Sequence, residues 1–248
     1  PQALGMREEI ALDQAMDYYD AVVHTDINRT DDTTKDSERV KRFMRSYARN
    51  QGTQAANTVI AEDVFRNETV PLAAETVAVY INALKKIFVI EEMAAWNPNL
   101  RSKTAIRSSY TRYFVDPSIA VAALGTGPRE LLEDLRTFGL LFETMCIRDL
   151  RIFADALGGQ VYHYRDKDGL ECDAVIHLRN GRYGLIEIKI GGDTLIEEGV
   201  KNLKALEDKI DLDKMHAPSF LMVLTGIGDY AYRRTDGVYI VPIGCLKN

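Results

Sequence analysis

A chain of 248 residues with 46% hydrophobic and 27% charged residues can bury a substantial core, as one large domain or two small ones. Its net charge of -6 argues against a polycation that coats nucleic acid, while leaving room for a local basic patch. No apolar run approaches a membrane span, no signal-peptide pattern opens the chain, and Cys146, Cys172 and Cys245 lack disulfide or zinc-ribbon spacing, so a reducing, cytoplasmic setting is expected.

The chain begins at Pro1 rather than Met, which reads as a fragment or processed product. Residues 1–36 start as an acidic helical stretch with Ile10, Met16, Tyr19 and Val23 among its apolar positions, and end in a polar loop. Asp31, Asp32 and Asp36 match no calcium-loop spacing and read as a solvated loop.

From Glu38 a helix is expected, with Val40, Phe43, Met44 and Tyr47 on one face and Gly52 as its stop. Thr58 is placed to cap a short helix running to Phe65. A third helix from Ala74 carries Val77, Tyr80, Ile81, Leu84 and Phe88 as its apolar stripe, and residues 89–95 and 111–115 have strand character. Three helices followed by a two-stranded element is the order of a winged helix-turn-helix, which places a DNA-associated domain over residues 37–127.

The third helix is poor in base-reading side chains at its leading turns. The better basic patch lies in the would-be wing: Arg101, Lys103, Arg107 and Arg112 could grip phosphates without reading sequence, or form a solvated hairpin. Trp96 could stack on a base or simply pack.

A short helix follows Tyr113-Phe114-Val115-Asp116-Pro117-Ser118, with a linker at residues 125–128. A long helical pattern then runs from Arg129 to Gly158-Gly159, with Gly139 a possible kink and Glu143 bordering its apolar stripe. Over residues 128–248 the order is αβββαββ, with strands at 161–165, 172–179, 182–190, 220–225 and 237–243 and a helix at 195–209, implying a small mixed sheet flanked by helices. The fold class is therefore α/β (α+β).

The sharpest chemical signal is a hairpin around Asn180-Gly181. Asp173 stands on its first strand, and Glu187-Ile188-Lys189 on its second. A two-residue turn would send Asp173 and Glu187 to opposite faces. A three-residue loop over residues 179–181, with Gly181 left-handed, pairs Leu178 with Arg182 and sets Asp173 across from Glu187. The second register is expected. Two carboxylates with an ammonium beside them suit magnesium or manganese, which take oxygen ligands, and Lys189 could orient water or offset developing charge. An ordinary solvated Glu–Lys pair would share this spacing. His24, His163, His177 and His216 show no metal-ligand spacing, and His177 either lines a cleft or is a hydrogen-bonded strand residue. No phosphate-cradling Gly-x-x-x-x-Gly-Lys-Ser/Thr loop is present.

The αβββαββ order with Asp173 and Glu187-Ile188-Lys189 resembles the restriction-endonuclease-like nucleases with their PD-(D/E)xK signature. Arg45-Ser-Tyr-Ala-Arg-Asn-Gln-Gly-Thr53, the 80–89 stretch, Tyr113 to Ser118, Phe142-Glu143 and the 164–173 stretch, in that order over nearly the whole chain, are similar to domain of unknown function 4143. That region follows an AAA-type ATPase module in many prokaryotic proteins. The resemblance implies a winged-helix-like part followed by a nuclease-like part, with residues 1–36 a remnant and linker after an ATPase module that is left off. Glu143, Asp173 and Glu187 would hold divalent metal and Lys189 would position the attacking water. Cys172 stands where the signature has Pro. The alternatives are a non-catalytic module that binds nucleic acid or protein and regulates the ATPase, and an assembly scaffold; no membrane partner is expected.

Overall fold

The computed structural model describes residues 7–30, 35–65, 74–97 and 109–247. It is a mixed α/β structure with two compact units, Pro1–Glu92 with Thr111–Thr144, and Met93–Tyr110 with Met145–Asn248.

The first unit contains helices α1 (Glu8–His24), α2 (Ser37–Arg49), α3 (Asn57–Phe65) and α4 (Ala74–Lys86). The two-stranded sheet β1 (Ile90–Met93) and β2 (Thr111–Phe114) follows, then helices α5 (Pro117–Leu124) and α6 (Pro128–Glu133). Asp36 begins α2 by accepting the Arg39 amide at 2.7 Å, and the Val40, Phe43, Met44 and Tyr47 stripe is buried as its spacing predicts. Phe43 stacks on Tyr80 of α4 at 5.4 Å, and Tyr47 meets Phe114 of β2 edge-on at 5.3 Å. Helix α3 starts at Asn57, so Thr58 lies inside it rather than capping it.

Phe88 departs from the expected stripe. Helix α4 ends at Lys86, and Phe88 turns left-handed at φ 57° with 79% of its surface exposed. The Val89 amide then bonds to the Leu84 carbonyl at 3.0 Å, so Val89 rather than Phe88 enters the core.

The expected long helix from Arg129 is broken at Asp134. Asp134 leaves helical geometry, and its carboxylate accepts both the amide and the hydroxyl of Thr137, which starts α7 (Leu135–Ala156) afresh.

The second unit is built on a six-stranded mixed sheet of β3 (Gly159–Arg165), β4 (Glu171–Leu178), β5 (Tyr183–Lys189), β6 (Leu221–Thr225), β7 (Tyr232–Arg233) and β8 (Tyr239–Pro242). The strand order is β3-β4-β5-β6-β8-β7. β3, β4 and β5 form an antiparallel meander, β5, β6 and β8 run parallel, and the two-residue β7 closes the edge antiparallel to β8. Helix α8 (Asp193–Asp208) makes the crossover from β5 to β6. Its Val200, Leu203 and Leu206 share a core with Val175, Leu185, Leu221 and Val223. β5 is buried from Tyr183 to Ile188, which is why its sequence reads as nearly continuous apolar residues rather than a clean alternation. Only the short β7 was absent from the expected αβββαββ order. Among the described residues no helix is long and apolar enough to cross a membrane.

Candidate functional site

The hairpin joining β4 and β5 sets the register on which everything else depends. Leu178 donates its amide to the Arg182 carbonyl at 2.8 Å, and Gly181, at φ 84°, donates to the Leu178 carbonyl at 3.0 Å. The loop is therefore the three-residue type with a left-handed glycine, a conformation that a side chain at position 181 would disfavour. From there the pairs run His177 with Tyr183, Ile176 with Gly184, Val175 with Leu185 and Ala174 with Ile186. One further step sets Asp173 opposite Glu187, and at that step the backbone ladder gives way. The next amide of β5, Ile188 N–H, donates to the Asp173 side chain, Oδ2, at 2.7 Å.

A second irregularity, unmarked in the sequence, explains this. On the other side of β4, Tyr162 pairs with Val175 and Tyr164 with Cys172, so His163 alone opposes both Asp173 and Ala174. β4 carries one extra residue, a bulge, and bulges re-aim side chains at the expense of ladder bonds. Cys172 is returned to the core that holds Val175, and the Asp173 carboxylate takes the place of a strand carbonyl.

Both carboxylates meet one ammonium. Lys189 Nζ lies 2.8 Å from Glu187 Oε2 and 3.8 Å from Asp173 Oδ2. Glu187 is 1% exposed. Burial, and next the charge of Asp173, push its carboxyl up to about 8, against the pull of Lys189 and a hydrogen bond with Asn202. Burial also raises Asp173, opposed by Lys189 and by the Ile188 amide. Two carboxyl groups, one buried and one partly buried, thus share a single cation, and the arrangement favours keeping a proton on Glu187 over ionising both acids.

Helix α8 closes over the cluster through a glycine and an amide whose spacing carries little signal. A Cβ on Gly199 would sit 3.2 Å from Val223 Cγ2 and 3.4 Å from Glu187 Cβ, so the bare glycine lets the helix lie directly on Glu187. Asn202, one turn on, reaches the carboxyl. The only signal available was the i, i+3 spacing of a glycine and an amide on an otherwise amphipathic helix. Cys172 is buried, with its thiol donating to the carbonyls of Ile186 at 3.3 Å and Ala174 at 3.4 Å. Burial, then the charges of Glu187 and Asp173, hold it far above the usual thiol range, so it stays neutral beside the acids.

The other expected residues either have partners of their own or fall outside the described residues. Glu143 belongs to the first unit, where it accepts a hydrogen bond from Tyr113 Oη at 2.7 Å and lies over Gly52. Among the described residues no three His, Cys, Asp or Glu side chains form a group able to hold a metal ion. Arg112 is 8% exposed. Its Nη2 donates to Asn57 Oδ1 at 2.6 Å and its guanidinium lies 6.0 Å from the Tyr47 ring, so it faces the interior of its own unit. Arg101, Lys103 and Arg107 fall outside the described residues. Trp96 packs rather than presenting a ring to solvent, at 5% exposure, and His177 sits edge-on to Trp96 and Tyr183.

Comparison with known proteins adds family membership. No curated protein and no solved structure matches the chain. Residues 138–246 match the model described as domain of unknown function DUF4143, so that likeness holds for the second half rather than for nearly the whole chain. Residues 1–130 match a separate model, described as domain of unknown function DUF8612. With more than half its length in that match, the chain belongs to the DUF8612 family, and it carries a DUF4143 domain behind it.

Proposed function

We propose that the second unit is a nuclease-like phosphodiester hydrolase that uses a divalent metal held by Asp173 and Glu187. The observation that carries the reading is the convergence of those two carboxylates on Lys189, brought about by the hairpin register and the β4 bulge. The donor set fits a hard cation: carboxylate oxygens in a largely buried setting, with the Glu187 carboxyl pushed up to about 8 by burial and next by the charge of Asp173. When bound, such a metal would polarise a phosphate and lower the pKa of its own water.

The chain's residues have separable tasks in this scheme. Asp173 and Glu187 bind the ion, and the Ile188 amide fixes the orientation of Asp173. Lys189, released from part of its pairing with the acids, holds the nucleophile or offsets charge on the reacting phosphate. Asn202 keeps the Glu187 carboxyl aimed inward. Glu143, expected as a third ligand, is engaged with Tyr113, and the proposal does not draw on it.

The test is hydrolysis of labelled single- and double-stranded DNA and RNA with magnesium or manganese, by the purified chain and by Asp173→Asn and Lys189→Ala. Cleavage reduced at least about a hundredfold in both variants supports the reading. Cleavage unchanged in both assigns it to a contaminant.

A second reading, a non-catalytic module that binds nucleic acid or protein and regulates an AAA-type ATPase module, is favoured by the succession of α2, α3 and α4 followed by β1 and β2 in the first unit. It predicts salt-sensitive DNA binding that survives Asp173→Asn.

A further inference from the structure

The strongest feature outside the carboxylate cluster is a set of exposed rings in the segment that leaves β6. Within six residues the chain presents Ile227 at 64%, Tyr230 at 70% and Tyr232 at 44% exposure. The two tyrosine rings lie 6.0 Å apart, tilted 55° to each other, with neither drawn into the core. On the following strand pair, the Arg233 guanidinium lies 5.4 Å over the ring of Tyr239. Arg233 is exposed and, among the described residues, forms no ion pair, whereas its neighbour Arg234 is tied to Glu197 and Asp236.

The segment is anchored to the exit of the strand that carries Lys189. Lys189 pairs with Thr225 across β5 and β6, and the Gly226 amide donates to the Ile190 carbonyl at 3.0 Å. Ile227 covers Gly191 so closely that a Cβ there would lie 2.3 Å from its Cγ1. Gly228 lies against Pro242 at the end of β8, where a Cβ would come 2.7 Å from Cγ. Tyr232 pairs with Ile240, which is level with Val223 of β6 and Glu187 of β5, so its ring stands on the edge strand in register with the carboxylate cluster, and the loop that carries Tyr230 leads there from the carboxyl end of β6. Strands are spaced about 4.8 Å apart, which sets β7 three strands, or about 14 Å, from Lys189.

We propose that residues 226–233 form a stacking platform for unpaired nucleic-acid bases, which gives the hydrolase read above a single-stranded substrate; the inference rests on that reading. Tyrosine faces stack on any base, but only where the base is not already stacked and paired in a duplex. Arg233 supplies one contact to the phosphate backbone. Asp229, beside Tyr230 in the same loop, disfavours further phosphate contacts, so stacking rather than charge carries the affinity and the salt dependence is shallow. Strand bound across Tyr230 and Tyr232 lies on the β7 edge, in register with Glu187 across β8 and β6.

The test uses the full chain with Asp173→Asn, so that nothing is cut, in chelator. Fluorescence anisotropy is read with a labelled oligothymidylate and with a duplex of equal length. The single strand binds about tenfold or more tighter than the duplex. Tyr230→Ala/Tyr232→Ala lowers single-strand affinity about tenfold or more, and Tyr230→Phe/Tyr232→Phe, which keeps both ring faces, retains it. Both tyrosines are exposed, so the variants keep the parent's circular dichroism and Tm. No single-strand binding, no preference over duplex, or an alanine variant equal to its parent overturns the platform; the last result is also what a protein-docking surface would give. Cleavage is scored separately in the chain with Asp173 intact. Tyrosine-dependent binding without cleavage retains the platform and removes the hydrolase, while cleavage with an unchanged KM in the alanine variant does the reverse.

Discussion

Glu187 and Lys189, two residues apart on β5, are joined by a 2.8 Å ion pair, yet one partner is almost wholly buried and the other is not: their side chains are 2% and 22% exposed. The ammonium reaches water and the carboxylate does not. Burial, and next the charge of Asp173, raise the Glu187 carboxyl.

The first consequence is a pH dependence of folding in metal-free protein. Glu187 ionises near the ordinary carboxyl value of 4.5 in the unfolded chain and only near about 8 in the folded one. Between those values the folded state holds a proton that the unfolded state has released. Stability is therefore full below about 4.5 and falls as pH rises toward 8, by up to about 1.4 kcal/mol per pH unit. Asp173, also raised, adds in the same direction. Urea titrations from pH 5 to pH 8.5 should show this decline, and Glu187→Gln should flatten it. An equal slope in the two proteins would mean that Glu187 is ionised throughout.

Divalent metal should reverse the trend. Its ligands must be deprotonated, so affinity tightens over the same pH range. At a hundredfold excess over Kd, magnesium or manganese should stabilise the chain by about 2.7 kcal/mol at pH 8, read as a rise in Tm. Asp173→Asn and Glu187→Gln should abolish the rise. A rise that persists in both would place the ion elsewhere.

Glu143 is decided by the same measurement. If its role is the bond to Tyr113, Glu143→Gln costs roughly 1–3 kcal/mol of stability and keeps the metal-induced rise in Tm. In a double-mutant cycle with Tyr113→Phe the two effects should be strongly non-additive. Loss of the metal response in Glu143→Gln would instead restore it as a third ligand.

Gly199 offers a test of how α8 seats on the acid. A side chain there must displace Val223 or Glu187. Gly199→Leu should cost about 1–3 kcal/mol, as overpacking does, and should lower the Glu187 pKa by admitting water. The pH slope of stability reads the second effect. A variant as stable as the parent with the same slope would show that the close approach is incidental.

How much of this could be read from the residues depends on the range of the forces involved. The helix stripes of α2, the strands of the second unit and the Gly181 turn are set by local periodicity and local backbone preference, and each is legible. Phe88 was misplaced because a stripe shows where apolar residues fall, not where the helix stops. Asp134 was missed because a cap depends on a side chain folding back on Thr137. Asp173, Glu187 and Lys189 were legible as a pattern; their burial was not, since it depends on Gly199 and Asn202 arriving from a separate helix. The extra residue in β4 was hidden for a related reason: alternation within one strand does not reveal how many residues its neighbour sets against it.

That extra residue bears on how such a centre is gained and lost. Removing Ala174 would let β3 and β4 pair without interruption and would restore a backbone acceptor for the Ile188 amide, so the sheet would be retained while Asp173 lost its aim. The difference between a chain with the centre and a chain with only its scaffold is then a single codon, deleted or inserted in frame. That one event would leave every acidic residue in the chain while removing the geometry on which the proposed metal site depends.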